Sequence, residues 1–491
     1  MKTQVWASGF IRLNNEACEL TFAFDLPTIP LISQFLNFSI SNLPFPTAFL
    51  DRMKSDLGSE FPDFLAALEQ PAPVSIRLNP SKKVDAFGSA EPIPWHPDGR
   101  YLAERPSFTL DPSFHAGAYY VQEASSMLIF EALRQTVDLG QKQRVLDLCA
   151  APGGKSTLLL SAISRDSFLV SNEVIQNRIA PLKMNLEKWG HANVAVTNHD
   201  SEDFERLSGY FDVVLVDAPC SGEGLFRKDE DAAGHWSEAS VELCAARQRR
   251  ILTAAAELVG QGGVLIYSTC TFNAAENESN VKWLAETCGF EHVPLVLNTD
   301  WDVVEKERGY QCYPHRVRGE GFYFAVLRKT AETKTPFIKY YVPKEWQRIV
   351  EKQLGVFERW VSQPADYEYF TKPEGMVVAV PSQLTEEFFA IGSVLKKRSV
   401  GMEIGELKNK DFIPSHTLAL ANFLHPHLPK AYLTKEQALL FLKKENIWEA
   451  DWERGWTLAT YENLPLGWMK VLDNRSNNYL PMGWRIRMDV R

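Results

Sequence analysis

Between residues 141 and 330 short apolar runs alternate with longer helix-compatible segments, the pattern of a parallel sheet covered by helices. The runs occupy 144–149, 168–173, 194–200, 211–217 and 263–268. Each of the first four ends on or near an acidic residue or a Gly/Pro turn. That puts those side chains at the carboxyl ends of strands, where open α/β sheets bind ligands. Residues 321–329 (GFYFAVLRK) predict a late strand. Upstream, a helical start at 49–57 and strand-like VSIRLNP at 74–80 predict a separate small α/β module. After about residue 336 the pattern changes to short Trp- and Tyr-rich elements, including a helix at 435–444 opened by Thr434 and Gln437 as a capping box. The expectation is therefore an α/β protein with an extension of unclear role (1–42), an N-terminal α/β module (43–112), a Rossmann-like domain with a mostly parallel sheet (113–330) and a C-terminal region (331–491).

Composition changes this picture little. At 491 residues, 45% apolar and 23% charged, the chain has room for about three domains and is neither disordered nor fibrous in character. The longest uncharged stretch, 26–50, is broken by Pro27, Pro30, Pro44 and Pro46 and does not suit a membrane span. With only Lys2 and Arg12 as early cations, a secretory signal is not expected either, which places the protein in the cytoplasm. Seven cysteines (18, 149, 220, 244, 270, 288, 312) form no short paired spacing, which argues for free thiols and against a disulfide framework or a metal site.

Charge matters locally rather than in sum. The net charge is −10, but residues 331–491 carry 22 Lys and Arg against 20 Asp and Glu, so −12 belongs to residues 1–330. A nucleic acid responds to the local patch. Candidates stand at Arg227-Lys228, at Arg247, Arg249 and Arg250, and at His315, Arg316 and Arg318.

The segment VLDLCAAPGGKST (145–157) is a strand running into a glycine-rich turn and a helix beginning near Lys155. Such a turn brings backbone close to a ligand. Glu173 follows Gly153 by 20 residues, at the end of the next strand, where a carboxylate accepts hydrogen bonds from ribose hydroxyls. A phosphate-binding P-loop would need glycine where Cys149 stands, and a dinucleotide fold would need G-x-G-x-x-G. S-adenosylmethionine, with a ribose and an adenine but no phosphate, suits the pattern.

After the fourth strand comes DAPCSGEG (217–224) and after the fifth YSTCTFN (267–273), so two thiols, Cys220 and Cys270, should open on one crevice. Together with AYYVQEASSM (118–127), DLCAAPGGKST, DAPCSGEGLFRKD (217–229), ARQRRIL and YSTCTFNAAENE (267–278), these segments resemble the RNA 5-methylcytosine methyltransferases of the Nop/Sun family, most nearly the bacterial enzymes of small-subunit rRNA. The resemblance is firm over 43–330 and looser to the C-terminus. It implies that Cys270 attacks carbon 6 of cytosine, making the weakly nucleophilic carbon 5 enamine-like. It implies that Cys220 assists release, that Asp217 contacts base and cofactor, and that Cys149, Ala150, Ala151, Pro152, Gly153, Gly154, Lys155, Glu173 and Asp200 hold S-adenosylmethionine. DNA cytosine methyltransferases instead use the Cys of a Pro-Cys pair, here Pro219-Cys220, so the reverse assignment of the thiols is the rival. The implied substrate is a cytidine of 16S rRNA, free or in the small ribosomal subunit, met by a monomer. The implied C-terminal region is PUA-like and RNA-binding, with GWMK (467–470) and NNYLPMGWRIR (477–487) suited to stacking and phosphate contact. A non-catalytic RNA-binding or ribosome-assembly factor is the competing class.

Overall fold

The computed structural model describes residues 45–489 apart from 85–86, 229 and 409–410. The expected extension over 1–42 and the uncharged stretch up to residue 44 lie outside the described residues.

Two helices, Thr47–Leu57 and Phe61–Leu68, open the described chain and bury Phe49, Met53 and Phe64. Next come β1 (Val74–Leu78), β2 (Glu91–Pro92), β3 (Gly99–Leu102) and β4 (Tyr119–Val121), joined in the order β2-β3-β1-β4. The sheet of the N-terminal module thus draws its last strand from beyond residue 112. Its outstanding side chain is Arg77 on β1, fully buried over the Trp189 ring at 4.5 Å. The guanidinium donates to Gln122 Oε1 at 2.8 Å, Thr157 Oγ1 at 2.6 Å and the Gly154 carbonyl at 3.2 Å. Burial without a carboxylate partner pulls its pKa down to about 9.

The central sheet holds β5 (Arg144–Asp147), β6 (Phe168–Asn172), β7 (Val194–Thr197), β8 (Phe211–Asp217), β9 (Val259–Thr269), β10 (Phe290–His292), β11 (Val304–Lys306), β12 (Gly309–Cys312) and β13 (Phe322–Lys329). Their order is β11-β12-β13-β9-β8-β5-β6-β7, with β10 also on β13. The five strands from β5 to β9 are parallel, as expected of strands that alternate with helices, and β13 closes antiparallel on β9. These parallel strands are covered on both faces and most of their residues are buried, which explains their continuous apolar runs. The fifth run was expected at 263–268, yet β9 begins at Val259. Its register against β8 jumps from Phe211↔Val259 to Val213↔Val264, because the glycine-rich segment 260–263 bulges. β5 and β8 are neighbours and β9 lies beside β8, so the loops after all three emerge together.

The C-terminal region builds two further sheets. A five-stranded one spans 347–414, and a four-stranded one is formed by Lys430–Tyr432, Gly455–Tyr461, Leu464–Val471 and Ser476–Asn478. The predicted capping box is present: Thr434 and Gln437 bond reciprocally at the start of Lys435–Leu442. The segment from Lys397 to Ser399 runs along β7, where Ser399 N–H donates to the Val196 carbonyl at 2.8 Å and Asn198 N–H to the Lys397 carbonyl at 3.0 Å. An otherwise open sheet edge is thereby covered. Among the described residues no helix is long and apolar enough to cross a membrane.

Candidate active site

The carboxyl ends of β5, β6, β7, β8 and β9 surround a cleft of about 440 Å³. Its wall includes Cys149, Ala151, Glu173, Asp200, Asp217, Cys220 and Cys270, so the fold gathers seven of the expected site residues in one place. Ala150, Pro152, Gly153, Gly154 and Lys155 are not on its wall; they build the turn behind it.

That turn is shaped by its sequence. Gly153 has φ +111°, a conformation an L side chain resists, and caps the helix Gly154–Ala162. Ala150 N–H donates to the Asn172 carbonyl at 2.8 Å, tying the turn to β6. Glu173 is buried: Oε1 accepts from Ile175 N–H at 2.8 Å, and Oε2 pairs with Arg178 at 3.1 Å. Arg178 also donates to the Ala151 carbonyl at 2.6 Å, so one arginine links the carboxylate to the turn. Asp200 is half-exposed and takes a two-pronged contact from Arg250, at 2.9 and 3.1 Å, which holds its carboxyl below the usual range. Beneath the turn Asp147 is fully buried. Its Oδ2 accepts from Ser156 at 2.6 Å while Oδ1 has no partner, and burial pushes its carboxyl up to about 7.

At the other end of the cleft the Cys220 and Cys270 sulfurs stand 2.8 Å apart, both thiols free and half-buried. Cys270 N–H donates to Cys220 Sγ at 3.3 Å, and Gly224 N–H to the Cys270 carbonyl at 2.8 Å. The contact with Cys270, reinforced by burial, holds the Cys220 thiol well above the usual range, so Cys220 keeps its proton. Asp217 sits between thiols and turn: Lys155 pairs with Oδ2 at 2.7 Å and Ser268 donates to Oδ1 at 2.8 Å. Burial works most strongly against the Lys155 cation, but the charge and hydrogen bond of Asp217 together with the Asp147 charge outweigh it and the net shift is upward.

Two buried carboxylates that sequence reasoning missed lace the thiol loops together. Glu223 accepts from Arg52 at 2.7 Å, from Trp236 Nε1 at 3.1 Å and from Phe272 N–H at 3.2 Å. Glu276 accepts from Ser221 N–H at 3.0 Å, Ser221 Oγ at 2.5 Å and Gln248 Nε2 at 2.7 Å. The signal was available, since Gln248 and Glu276 fall inside ARQRRIL and YSTCTFNAAENE, but only the fold reveals what they touch.

The basic patches need correction. Arg227 is buried against Glu320 at 3.0 Å, Arg316 pairs with Glu60 and Asp302 at 2.7 Å each, Arg318 with Glu91 at 2.5 Å, and Arg250 with Asp200. His315 also rests on Glu60, at 3.0 Å, and Arg249 lies over the Trp283 ring at 5.1 Å. Each of these groups thus has a partner within the chain; Arg227 is buried and closed to RNA, whereas Arg250 and Arg318 keep about half of their side chains exposed. Arg247, exposed on the cleft wall, is the arginine of these groups with neither a carboxylate nor an aromatic partner among the described residues.

Three family models match the chain: 16S rRNA methyltransferase RsmB/F over residues 134–328, the N-terminal domain of 16S rRNA methyltransferase RsmF over 45–124, and the methyltransferase RsmF PUA domain over 429–486. The PUA match covers the four-stranded C-terminal sheet and not the five-stranded one before it. Over 465 residues, 89% of this chain and 95% of the relative, the sequence is 32% identical to ribosomal RNA small subunit methyltransferase F of Pectobacterium atrosepticum. It is 33% identical over 473 residues, 89% of this chain and 96% of the relative, to the protein of that name from Escherichia coli O157:H7. A crystal structure of a methyltransferase homolog protein from Pyrococcus horikoshii superposes with a TM-score of 0.51 at 29% identity, over 58% of this chain and 95% of that one. NSun6 from Pyrococcus horikoshii, solved with SFG, shares the fold with a TM-score of 0.51 at 20% identity, over 59% of this chain and 99% of that one.

Proposed function

The chain belongs to the RsmB/F family of 16S rRNA methyltransferases, and on that premise we propose that it methylates carbon 5 of cytosine in 16S rRNA, with S-adenosylmethionine as donor, through a covalent bond from Cys270 to carbon 6 that is resolved with the help of Cys220. The single observation carrying this reading is the pair of free thiols 2.8 Å apart at one end of a cleft whose other end is lined by carboxylates.

The residues present fit the donor. Glu173 and Asp200 are acceptors at adjacent strand ends, where ribose hydroxyls and an adenine amino group are recognised. Val174 and Ile175 line the cleft yet stay 56% and 48% exposed, an apolar shelf for a base. When bound, S-adenosylmethionine supplies the electrophilic methyl group.

The chain's own groups do the rest. Cys270 adds its sulfur to carbon 6, and the Asp217 carboxylate, held by Lys155 and Ser268, faces the cleft where the base must lie. Restoring aromaticity requires transfer of the carbon 5 proton to solvent water in the open cleft and departure of the Cys270 sulfur with the electrons of its bond to carbon 6. The protonated Cys220 thiol is in place to hydrogen-bond that sulfur as it leaves with its electron pair. The same reading has a cytoplasmic monomer meeting 16S rRNA, free or in the small subunit, through its PUA and N-terminal modules.

Bisulfite sequencing of 16S rRNA from cells with and without the gene tests the proposal. One or more cytidines should be protected only when the gene is present. Identical protection in both strains overturns it.

A further inference from the structure

Cys220 and Cys270 come from different loops, 50 residues apart in sequence, and nothing in either local sequence sets the distance between them. Three groups converge on the Glu276 carboxylate. From the Cys220 loop come the N–H and hydroxyl of Ser221, the next residue along, at 3.0 and 2.5 Å. From the long helix Glu238–Leu258 comes Gln248 Nε2 at 2.7 Å, whose amide also donates to the Pro219 carbonyl at 3.1 Å. So the residues on both sides of Cys220 are tied to one carboxylate directly or through one side chain.

Glu276 itself belongs to the Cys270 loop. Its peptide carbonyl accepts from the Tyr267 hydroxyl at 2.6 Å and from Asn280 Nδ2 at 2.9 Å, which fixes it to the end of β9. Ser221 Oγ also lies 3.0 Å from Thr271 Oγ1, directly beside Cys270. Glu276, Gln248, Asn280, Thr271 and Tyr267 are all completely buried. A carboxylate wholly removed from water with no cation in contact is costly unless its lone pairs are filled, and here three donors fill them. Packing alone would be served as well by an apolar side chain. The feature that needs a carboxylate is the set of three donors, two of which come from the Cys220 loop.

We infer that Glu276 is the positioning residue of Cys220: it fixes the Cys220 thiol against the Cys270 sulfur and so governs release of the methylated product rather than attack on the base. This rests on the two-thiol reading above. Burial raises the Glu276 carboxyl, and its charge is among the influences that keep Cys220 protonated, which agrees with the assignment. Cys270 is set by its own backbone at the end of β9 and does not need Glu276 to add to carbon 6.

The test follows covalent complexes. Wild type, Cys220→Ala, Glu276→Gln and Ser221→Ala proteins are incubated with an unmodified 16S rRNA transcript and S-adenosylmethionine, then run on denaturing gels. Cofactor affinity is measured in parallel by calorimetry. Glu276→Gln keeps the volume but turns an amide group toward donors. It should bind S-adenosylmethionine as wild type does, lose turnover by at least ~10-fold, and accumulate the slow-migrating protein–RNA complex that Cys220→Ala accumulates. Adding Cys220→Ala to Glu276→Gln should cost nothing further, because both changes act on the same group. Ser221→Ala, which removes one of the three donors and leaves the backbone N–H, should accumulate less of the complex. It carries the test should Glu276→Gln fail to bind cofactor. If Cys220→Ala traps the complex and neither Glu276→Gln nor Ser221→Ala does, Glu276 has no such role and the inference falls alone. If Cys220→Ala traps nothing, the two-thiol reading falls and takes this inference with it.

Discussion

The two ends of the cleft are built by different physics. At the cofactor end the main chain is set by one continuous segment: a strand, a turn that needs Gly153 at φ +111°, and a helix that starts at the next residue. At the thiol end the geometry is long-range, with two loops laced by the buried carboxylates Glu223 and Glu276, which draw their donors from Arg52, Trp236, Gln248 and Ser221. At the thiol end one residue sets the distance on which the chemistry depends.

That contrast orders the expected effects of mutation. Cys270→Ala should cost the most, at least ~10³-fold in methyl transfer to 16S rRNA, with S-adenosylmethionine affinity unchanged because the sulfur lies at the opposite end from Glu173. Tritium incorporation and calorimetry on one preparation decide it, and full turnover by the variant would remove Cys270 from the mechanism. At the cofactor end the losses are graded. Glu173→Ala removes the buried carboxylate that holds Arg178 and the Ile175 N–H and that the ribose would meet, and should weaken cofactor binding by ~1–3 kcal/mol. Asp200 is half-exposed and shared with Arg250, so Asp200→Ala should cost less than ~1 kcal/mol. Equal losses for the two variants would mean that burial does not grade this end.

Smallest is the effect expected at Arg247, which stands on the cleft wall with no carboxylate paired to it among the described residues. Arg247→Ala should leave cofactor affinity alone, raise the RNA KM modestly and lower the slope of log affinity against log salt by about 1, the mark of one lost phosphate contact. An unchanged slope would show that this guanidinium meets no phosphate.

The same contrast explains what could be read in the sequence. The alternation of strands and helices, the glycine turn and the placing of both thiols in loops after strands follow from local patterns, and seven of the expected site residues do line one cleft. The roles of Arg77, Glu223, Gln248 and Glu276 were not legible, because each is defined by a partner from a distant segment, as with Arg77 and Thr157, 80 residues apart. The basic patches misled for the same reason: Arg227 finds Glu320 93 positions away, and Arg316 finds Glu60 256 positions away. Bulging of β9 was also hidden, since the expected run began only at Gly263 and left Val259, Gly260 and Gly262 outside it.

The central claim is that Cys270 attacks and Cys220 resolves, and one denaturing gel tests it most directly. With unmodified 16S rRNA and S-adenosylmethionine, Cys220→Ala should accumulate a covalent protein–RNA band that disappears when Cys270→Ala is added. A band that forms with Cys270→Ala and vanishes with Cys220→Ala would contradict the account and make Cys220 the nucleophile.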